Sequence, residues 1–315
     1  MESNYLAGKT VLITGGTGTF GEFFLDYATK LDSGPHKIIV LSRNELRQVE
    51  MERRFHGPNL RYFLGDIRDR ERLLRAFYGV DVVIHAAALK HVPKCHYNPS
   101  EALKTNCDGT QNVVDACIGA GVGKLIAIST DKAVNPISAY GAAKLLADHL
   151  IIDGNVYSGG DITRCSVARF GNFVASTGSV IPLWRELVAA GKPIILTDQV
   201  ATRFFIKPPD VVTFIVKCLA EMEGGEIFSP KMKTIRMLDL ARAIQPDDGK
   251  IIIDRLSNGE KKHEEMITHE MAPYTVERSG HFVTYQERQD GAVHPEFTYN
   301  SQNCGEVWEP QDLLR

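Results

Sequence analysis

The chain has no CxxC pair, no Cys/His cluster at metal-ligand spacing, and no run approaching the ~20 apolar residues that cross a bilayer. Six cysteines are scattered singly, at Cys95, Cys107, Cys117, Cys165, Cys218 and Cys304, which excludes a disulfide scaffold and a structural zinc knuckle. No metal is expected. The opening residues, MESNYLAGKT, lack the apolar core of a signal peptide, so a cytoplasmic protein without a membrane partner is expected. A basic excess is also missing. A net charge of -3 argues against a nucleic-acid coat, though not against a local basic pocket for a phosphorylated small molecule. There is no internal repeat and no low-complexity linker. What remains is a 315-residue chain with 43% hydrophobic residues, enough for one large α/β unit or two interleaved lobes.

The first half alternates β-branched apolar runs with amphipathic stretches. Strands are predicted at 10–14, 37–42, 60–65, 80–85, 124–129 and 162–169, because near-continuous apolar runs of this length suit parallel strands buried on both faces. Phe20, Phe23, Phe24, Tyr27, Ala28 and Leu31 share one helical face, as do Val211, Phe214, Ile215, Cys218, Leu219 and Met222. This order predicts right-handed crossovers and a doubly wound parallel sheet of the Rossmann kind. The second half is punctuated by Pro and Gly clusters and predicts a smaller substrate-binding lobe. The expected division is a cofactor-binding domain over 1–170, with returning elements around 193–228, and an interleaved substrate lobe made mostly of 171–315.

After the first predicted strand comes Gly15-Gly16-Thr17-Gly18-Thr19-Phe20-Gly21. Gly15, Gly18 and Gly21 make a GxxGxxG loop between a strand and a helix, a context in which free N–H groups and the positive helix end meet a pyrophosphate. The second strand ends in Ser42-Arg43, where an NAD site usually carries a carboxylate for the ribose 2′-hydroxyl. A hydroxyl and a guanidinium, with Arg47 one turn on, suit a 2′-phosphate, so NADP is the expected cofactor. Asp66, followed by Ile67, ends the third strand. Its carboxylate is placed either for the adenine amino group or, like Asp69, to cap the helix beginning near Arg70. Ala86, Ala87, Ala88 and Lys90 follow the fourth strand, where small side chains let the backbone lie against the nicotinamide ribose.

Tyr140 and Lys144 form YxxxK, which puts both on one helix face about 5–6 Å apart at Cβ. A tyrosine of ordinary pKa near ~10 must be shifted down to act as a base, and a nearby ammonium does this. The pair follows Ser129-Thr130-Asp131-Lys132 at the end of the fifth strand, where such sheets place ligands. With HAAALKHVP at 85–93, NPISAYGAAK at 135–144 and RFGN at 169–172, this set resembles the extended short-chain dehydrogenases. Within them it is similar to the inverting UDP-N-acetylglucosamine 4,6-dehydratases of the pseudaminic acid type. The likeness continues through GSVIP, TRF, GGEIF and GEKKHE. It departs where relatives show Arg-Pro-Gly-Glu-Lys and this chain reads Arg255-Leu256-Ser257-Asn258-Gly259-Glu260-Lys261.

The resemblance implies a mechanism. Carbon-5 of a hexose turns acidic only once carbon-4 is a ketone, so Tyr140 takes the 4-hydroxyl proton as hydride passes to NADP, with Lys144 holding the tyrosine and the ribose. Lys132 is then the carbon-5 base and Asp131 the acid for the departing 6-hydroxyl, which requires a depressed lysine pKa. Lys90, Thr130, Lys132, Asn172, Arg203, Arg255 and Glu260 are the implied substrate contacts. Homo-oligomerisation, as a dimer or hexamer, is also implied, with helices near 100–119 and 138–153 available to pair.

Two enzyme alternatives share this scaffold, a nucleotide-sugar 4-epimerase and a retaining dehydratase. The first needs neither acid nor carbon-5 base; the second normally carries Asp-Glu where Asp131-Lys132 stands. A non-catalytic NADP sensor keeps the glycine loop but commonly loses the Tyr140/Lys144 pair.

Overall fold

The computed structural model describes residues 5–159, 162–174, 176 and 178–314. In the first half, β1 (Thr10–Thr14), α1 (Thr19–Ala28), β2 (Lys37–Ser42), α2 (Glu45–Arg54), β3 (Leu60–Leu64), α3 (Arg70–Ala76) and β4 (Val82–His85) alternate. They are followed by α4 (Val92–Tyr97), α5 (Pro99–Leu103), α6 (Gly109–Ala120), β5 (Lys124–Thr130), α7 (Ala139–Tyr157) and β6 (Arg164–Phe170). Next come β7 (Asn172–Phe173), α8 (Val180–Ala189), β8 (Ile194–Leu196), β9 (Thr202–Ile206), α9 (Pro208–Glu221), β10 (Ile227–Pro230), β11 (Lys233–Arg236) and α10 (Met237–Ile244). The last strands are β12 (Ile251–Ile253), β13 (Glu265–Ile267), β14 (Thr275–Arg278), β15 (His281–Thr284) and β16 (Tyr299–Asn300).

Nine strands form one sheet in the order β14-β15-β10-β6-β5-β4-β1-β2-β3. From β3 to β10 neighbours run parallel; β15 and β14 add antiparallel at the far edge. The chain starts in the middle, moves outward to β3, then returns across β1 to β4, so the switch point lies between β1 and β4. Ligands bind at the carboxyl ends of strands there, because the two flanking loops diverge and leave a crevice. The doubly wound parallel sheet read from the sequence is the fold.

Burial explains why the central strands were so plain. All five residues of β1 and all four of β4 are buried, whereas β3, at the edge, is buried only at Leu60. One face is covered by α1 and α9, whose Phe24, Leu25, Val211, Val212, Ile215 and Leu219 share a core. Each such side chain stabilises by roughly 1.5–3 kcal/mol when fully buried. The other face is covered by α3, α6 and α7 through Leu73, Val113, Val114, Cys117 and Ile151. A third core, with Trp184, Leu196, Phe205 and Leu240, belongs to the smaller sheets β7-β9-β11 and β8-β12.

The helix expected over 100–119 is not continuous. A wide turn of π-helical spacing over Lys104–Asp108 separates α5 from α6. It lets the buried Asn106 clamp the backbone of one residue on both sides, accepting from Leu89 N at 2.8 Å and donating to Leu89 O at 2.9 Å. π-turns of this sort mark functional sites because they re-aim one side chain without ending the helix. Among the described residues no helix is long and apolar enough to cross a membrane, and no group of three His, Cys, Asp or Glu is placed to hold a metal.

Candidate active site

A cleft of about 640 Å³ opens at the carboxyl ends of the strands, lined at one end by Gly15, Ser42, Arg43 and Asp66 and at the other by Lys132, Tyr140 and Asn172. Its floor is built by close approach. Gly15 has φ +65°, and a Cβ there would stand 2.7 Å from Ala87 Cα, so only glycine lets the turn after β1 pass the end of β4. Thr17 and Gly18, just ahead of α1, and Thr19 and Phe20, which open it, line the same floor together with Ile67, Ala86, Ala87 and Ala88. Gly21 does not reach the cleft. A Cβ there would lie 1.8 Å from Gly16 O, so its role is to seat the first turn of α1 on the loop.

Beneath the floor, His85 is tied through Nδ1 to Thr14 Oγ1 at 2.7 Å and through Nε2 to Thr110 Oγ1 at 3.1 Å. Burial, with the Lys144 ammonium nearby, drives its pKa down to about 3, so the ring is neutral.

At the β2 end, Ser42 is buried and accepts from Gln48 Nε2 at 3.0 Å; Asn44 caps α2 by accepting from Arg47 N at 3.0 Å. Asp69, not Asp66, caps α3, accepting from Arg72 N at 3.0 Å. The Asp66 carboxylate instead pairs with Arg68 at 2.7 Å and Arg43 at 3.6 Å, and the hydrogen bonds from Arg68 hold it below the usual carboxylate range. Arg43, Arg47 and Lys90 all face this part of the cleft. Burial and then the Arg47 charge lower the Lys90 pKa. An ammonium raised in free energy in this way favours an anionic ligand, because a phosphate relieves the repulsion.

At the other end stands the Tyr140 helix. Ser138 caps α7, accepting from Gly141 N at 3.0 Å, which starts the helix with Tyr140 already over the cleft. Lys144, one turn on, is buried and donates to Ile128 O at 2.9 Å. Burial pushes the Tyr140 phenol up to about 12, against the downward pull of Lys132 and Thr130. Lys144 is pushed down, chiefly by burial. The expected lowering of the tyrosine is therefore not supplied by the protein's own groups; desolvation outweighs the nearby ammonium.

Beside them Lys132 Nζ lies 3.0 Å from Asp131 Oδ1, 3.3 Å from Asn172 Oδ1 and 3.3 Å from Glu264 Oε1. The pair is no surface ion pair: Asp131 is fully buried and sits behind Lys132, which alone of the two lines the cleft. Thr130 Oγ1 donates to Asp131 Oδ1 at 3.0 Å. Burial pulls the Lys132 pKa down, but Asp131 and Glu264 outweigh it and hold the ammonium above the ordinary lysine value. This corrects the expected depression. Burial pushes Asp131 up, towards the protonated form that an acid needs.

The implied substrate contacts separate in space. Lys90, Thr130, Lys132 and Asn172 line the cleft. Arg203 does not: its guanidinium donates to Thr202 O, Lys262 O and Lys261 O at 2.7–2.9 Å and so pins that loop. Arg255 is exposed and outside the cleft, and Glu260 accepts from Ser257 N at 3.2 Å within its own loop. Sequence reasoning missed Thr105 and Ser129, whose buried hydroxyls line the cleft without a hydrogen-bond partner among the described residues. It also missed Glu264, whose only signal was its place in the GEKKHE segment.

Residues 11–286 match the family described as polysaccharide biosynthesis protein. The chain belongs to that family. It is 47% identical over 276 residues to the UDP-N-acetylglucosamine 4,6-dehydratase (inverting) of Campylobacter jejuni, covering 87% of this chain and 82% of that protein. A UDP-glucose 4-epimerase of Rickettsia akari is 38% identical over 288 residues, covering 90% of this chain and 84% of its own. The X-ray structure of Pen from Bacillus thuringiensis superposes with a TM-score of 0.90 at 33% identity, across 98% of this chain and 96% of the other. The polysaccharide biosynthesis match spans the motifs at both ends of the cleft.

Proposed function

We propose that this chain is an NADP-dependent 4,6-dehydratase that inverts carbon-5 of UDP-N-acetylglucosamine. The observation that carries the reading is the placement of Lys132 Nζ in the cleft, 3.0 Å from a fully buried Asp131 and on the same wall as Tyr140. The cofactor part is the 1–170 unit with its returning elements, and the sugar is held by the lobe built mostly from 171–315. The glycine cradle at Gly15 and the cations Arg43, Arg47 and Lys90 fit a dinucleotide with a third phosphate.

Bound NADP would supply the temporary hydride acceptor at carbon-4 and the donor to carbon-6. Tyr140 holds the 4-hydroxyl and takes its proton; the positive charge of an oxidised nicotinamide, when bound, would favour the phenolate that burial disfavours. Lys144, fixed on Ile128 O, adds a second positive group. Lys132 takes the carbon-5 proton once it has passed its own proton to Asp131, 3.0 Å away, and the neighbouring carbonyl has made carbon-5 acidic; Asp131, pushed up by burial, holds that proton and then returns it for the departing 6-hydroxyl. Proton return to the opposite face of carbon-5 gives the 4-keto-6-deoxy-L product. Leu103, Leu146, Val156 and Tyr157, exposed on α5 and α7, suit a second copy of the chain.

The Rickettsia likeness favours a second reading, 4-epimerisation. An epimerase has no use for an acid and a base beyond Tyr140, so it leaves Asp131-Lys132 without a task. NMR of UDP-N-acetylglucosamine turnover in deuterated water separates the two. Deuterium at carbon-5, loss of water and inverted ring couplings are expected; an isomerised sugar of unchanged mass establishes epimerisation instead.

A further inference from the structure

Glu264 is 3% exposed and lies just before β13, far in sequence from the rest of the site. Its backbone is fixed, with its N–H donating to Ser301 Oγ at 2.9 Å while Ser301 Oγ donates to Thr202 O at 3.1 Å. One carboxylate oxygen, Oε1, is 3.3 Å from Lys132 Nζ and 3.9 Å from Arg203 Nε. The other, Oε2, is buried without a hydrogen-bond partner among the described residues. A buried carboxylate with one unsatisfied oxygen costs stability, so its retention beside a cleft lysine asks for a functional reason.

The geometry around Lys132 supplies one. An ammonium has three N–H donors, and Nζ has three oxygens within 3.3 Å, from Asp131, Asn172 and Glu264. Asp131 comes from the turn after β5, Asn172 from β7 and Glu264 from the small lobe, so three separate elements fix one point. We infer that Glu264 is a positioning residue for Lys132, which holds the ammonium at the sugar end of the cleft and sets the pH range in which it gives up its proton. The inference rests on the reading of Lys132 as the carbon-5 base.

Among the described residues, charged groups from several elements face Lys132. While Lys132 is charged, Asp131 and Glu264 are its negative partners; Arg203, from β9, is positive and faces Glu264; Tyr140, from α7, is held neutral by burial. Lys261 also acts on Glu264 while donating to Val134 O at 2.6 Å. Burial raises the Glu264 pKa, yet Lys132, Arg203 and Lys261 together hold it below the usual range, so it remains a carboxylate. A fixed negative charge this close disfavours neutral Lys132, and removing it moves the lysine's titration downward.

The test compares Glu264→Gln with Glu264→Asp in the full-length protein, reading the pH profile of carbon-5 deuterium incorporation with UDP-N-acetylglucosamine. Glutamine keeps an oxygen for Lys132 but drops the charge, so the acidic limb of the profile moves down by about one pH unit or more. Aspartate keeps the charge but withdraws it, so the limb stays and kcat falls. A lowered kcat in Glu264→Gln with the limb unmoved overturns the inference, because a structural part changes rate without changing titration.

A second readout needs no turnover. With 13Cε-labelled lysine, and Lys132→Arg to identify the signal, Lys132 stays charged to higher pH in the wild type than in Glu264→Gln. Equal midpoints overturn the inference whatever the activity. A wild type that exchanges no carbon-5 hydrogen, yet shows the midpoint shift, sinks the dehydratase reading and leaves the charge control standing.

Discussion

Gly141 lies against the turn that carries Lys132: a Cβ at position 141 would stand 2.3 Å from the Lys132 carbonyl oxygen. The contact locks the first turn of α7, and with it Tyr140, to the Asp131–Ala133 turn that ends β5. The oxidising and eliminating halves of the proposed site are thereby held at one spacing. Gly141→Ala forces the two turns apart. Overpacking of this kind costs about 1–3 kcal/mol, and the expected result is a lower melting temperature together with a fall in kcat larger than any change in cofactor binding. An alanine variant with wild-type kcat shows that the spacing has slack.

Tyr140→Phe removes the proton acceptor for the 4-hydroxyl. Activity is expected to fall by about 10²–10⁴-fold while NADP binding persists. The titration offers a sharper check. With its pKa at about 12 in the protein alone, Tyr140 contributes no phenolate absorbance near pH 10. Wild type and Tyr140→Phe should therefore titrate alike up to that pH without cofactor. They should diverge once oxidised NADP is bound, the wild type showing the extra phenolate at lower pH. Divergence without cofactor refutes the burial argument.

The cofactor half was readable because its constraints are local. Strands β1 and β2 match their expected bounds residue for residue, since strands buried on both faces have no polar positions to blur them. The glycine loop and YxxxK each lie within a single turn or helix. The small lobe was opaque for the opposite reason. β8 and β12 are three residues each and pair across a long interval, and the β14–β15 hairpin rejoins the main sheet beside β10, far back in the sequence. Arg203 illustrates the same limit, for a buried arginine facing three carbonyls looks in sequence like one facing a diphosphate. The charge on Lys132 was misjudged because Glu264 reaches it from another lobe.

Arg43→Ala should separate NADP from NAD. The guanidinium is half-exposed and its pairing with Asp66 at 3.6 Å is loose, so its loss barely affects stability. A charge-assisted hydrogen bond to a 2′-phosphate is worth about 1.5–3 kcal/mol, or roughly a 10–100-fold weakening of NADP binding. NAD binding should stay within about twofold. Calorimetric titration with both cofactors reads the ratio, and equal weakening places Arg43 away from the 2′-position.

His85 makes the fold acid-sensitive. In an unfolded chain it titrates near 6.5, while in the native protein burial drives it to about 3. Between these values the unfolded state holds one proton more than the native state, so stability rises with pH and falls as acid is added. The loss from this one group is about 1.4 kcal/mol per pH unit below 6.5, until the native ring itself protonates near 3. His85→Gln keeps a donor and an acceptor between Thr14 and Thr110 but cannot charge. The variant starts from a lower stability at pH 7, because the amide fits the two hydroxyls less well than the ring, yet loses less on acidification. Urea unfolding at pH 7, 6, 5 and 4 should show the two stability curves converging. Parallel curves mean that the native imidazole accepts its proton as readily as the unfolded one, in which case the ring is not sealed beneath the cleft floor.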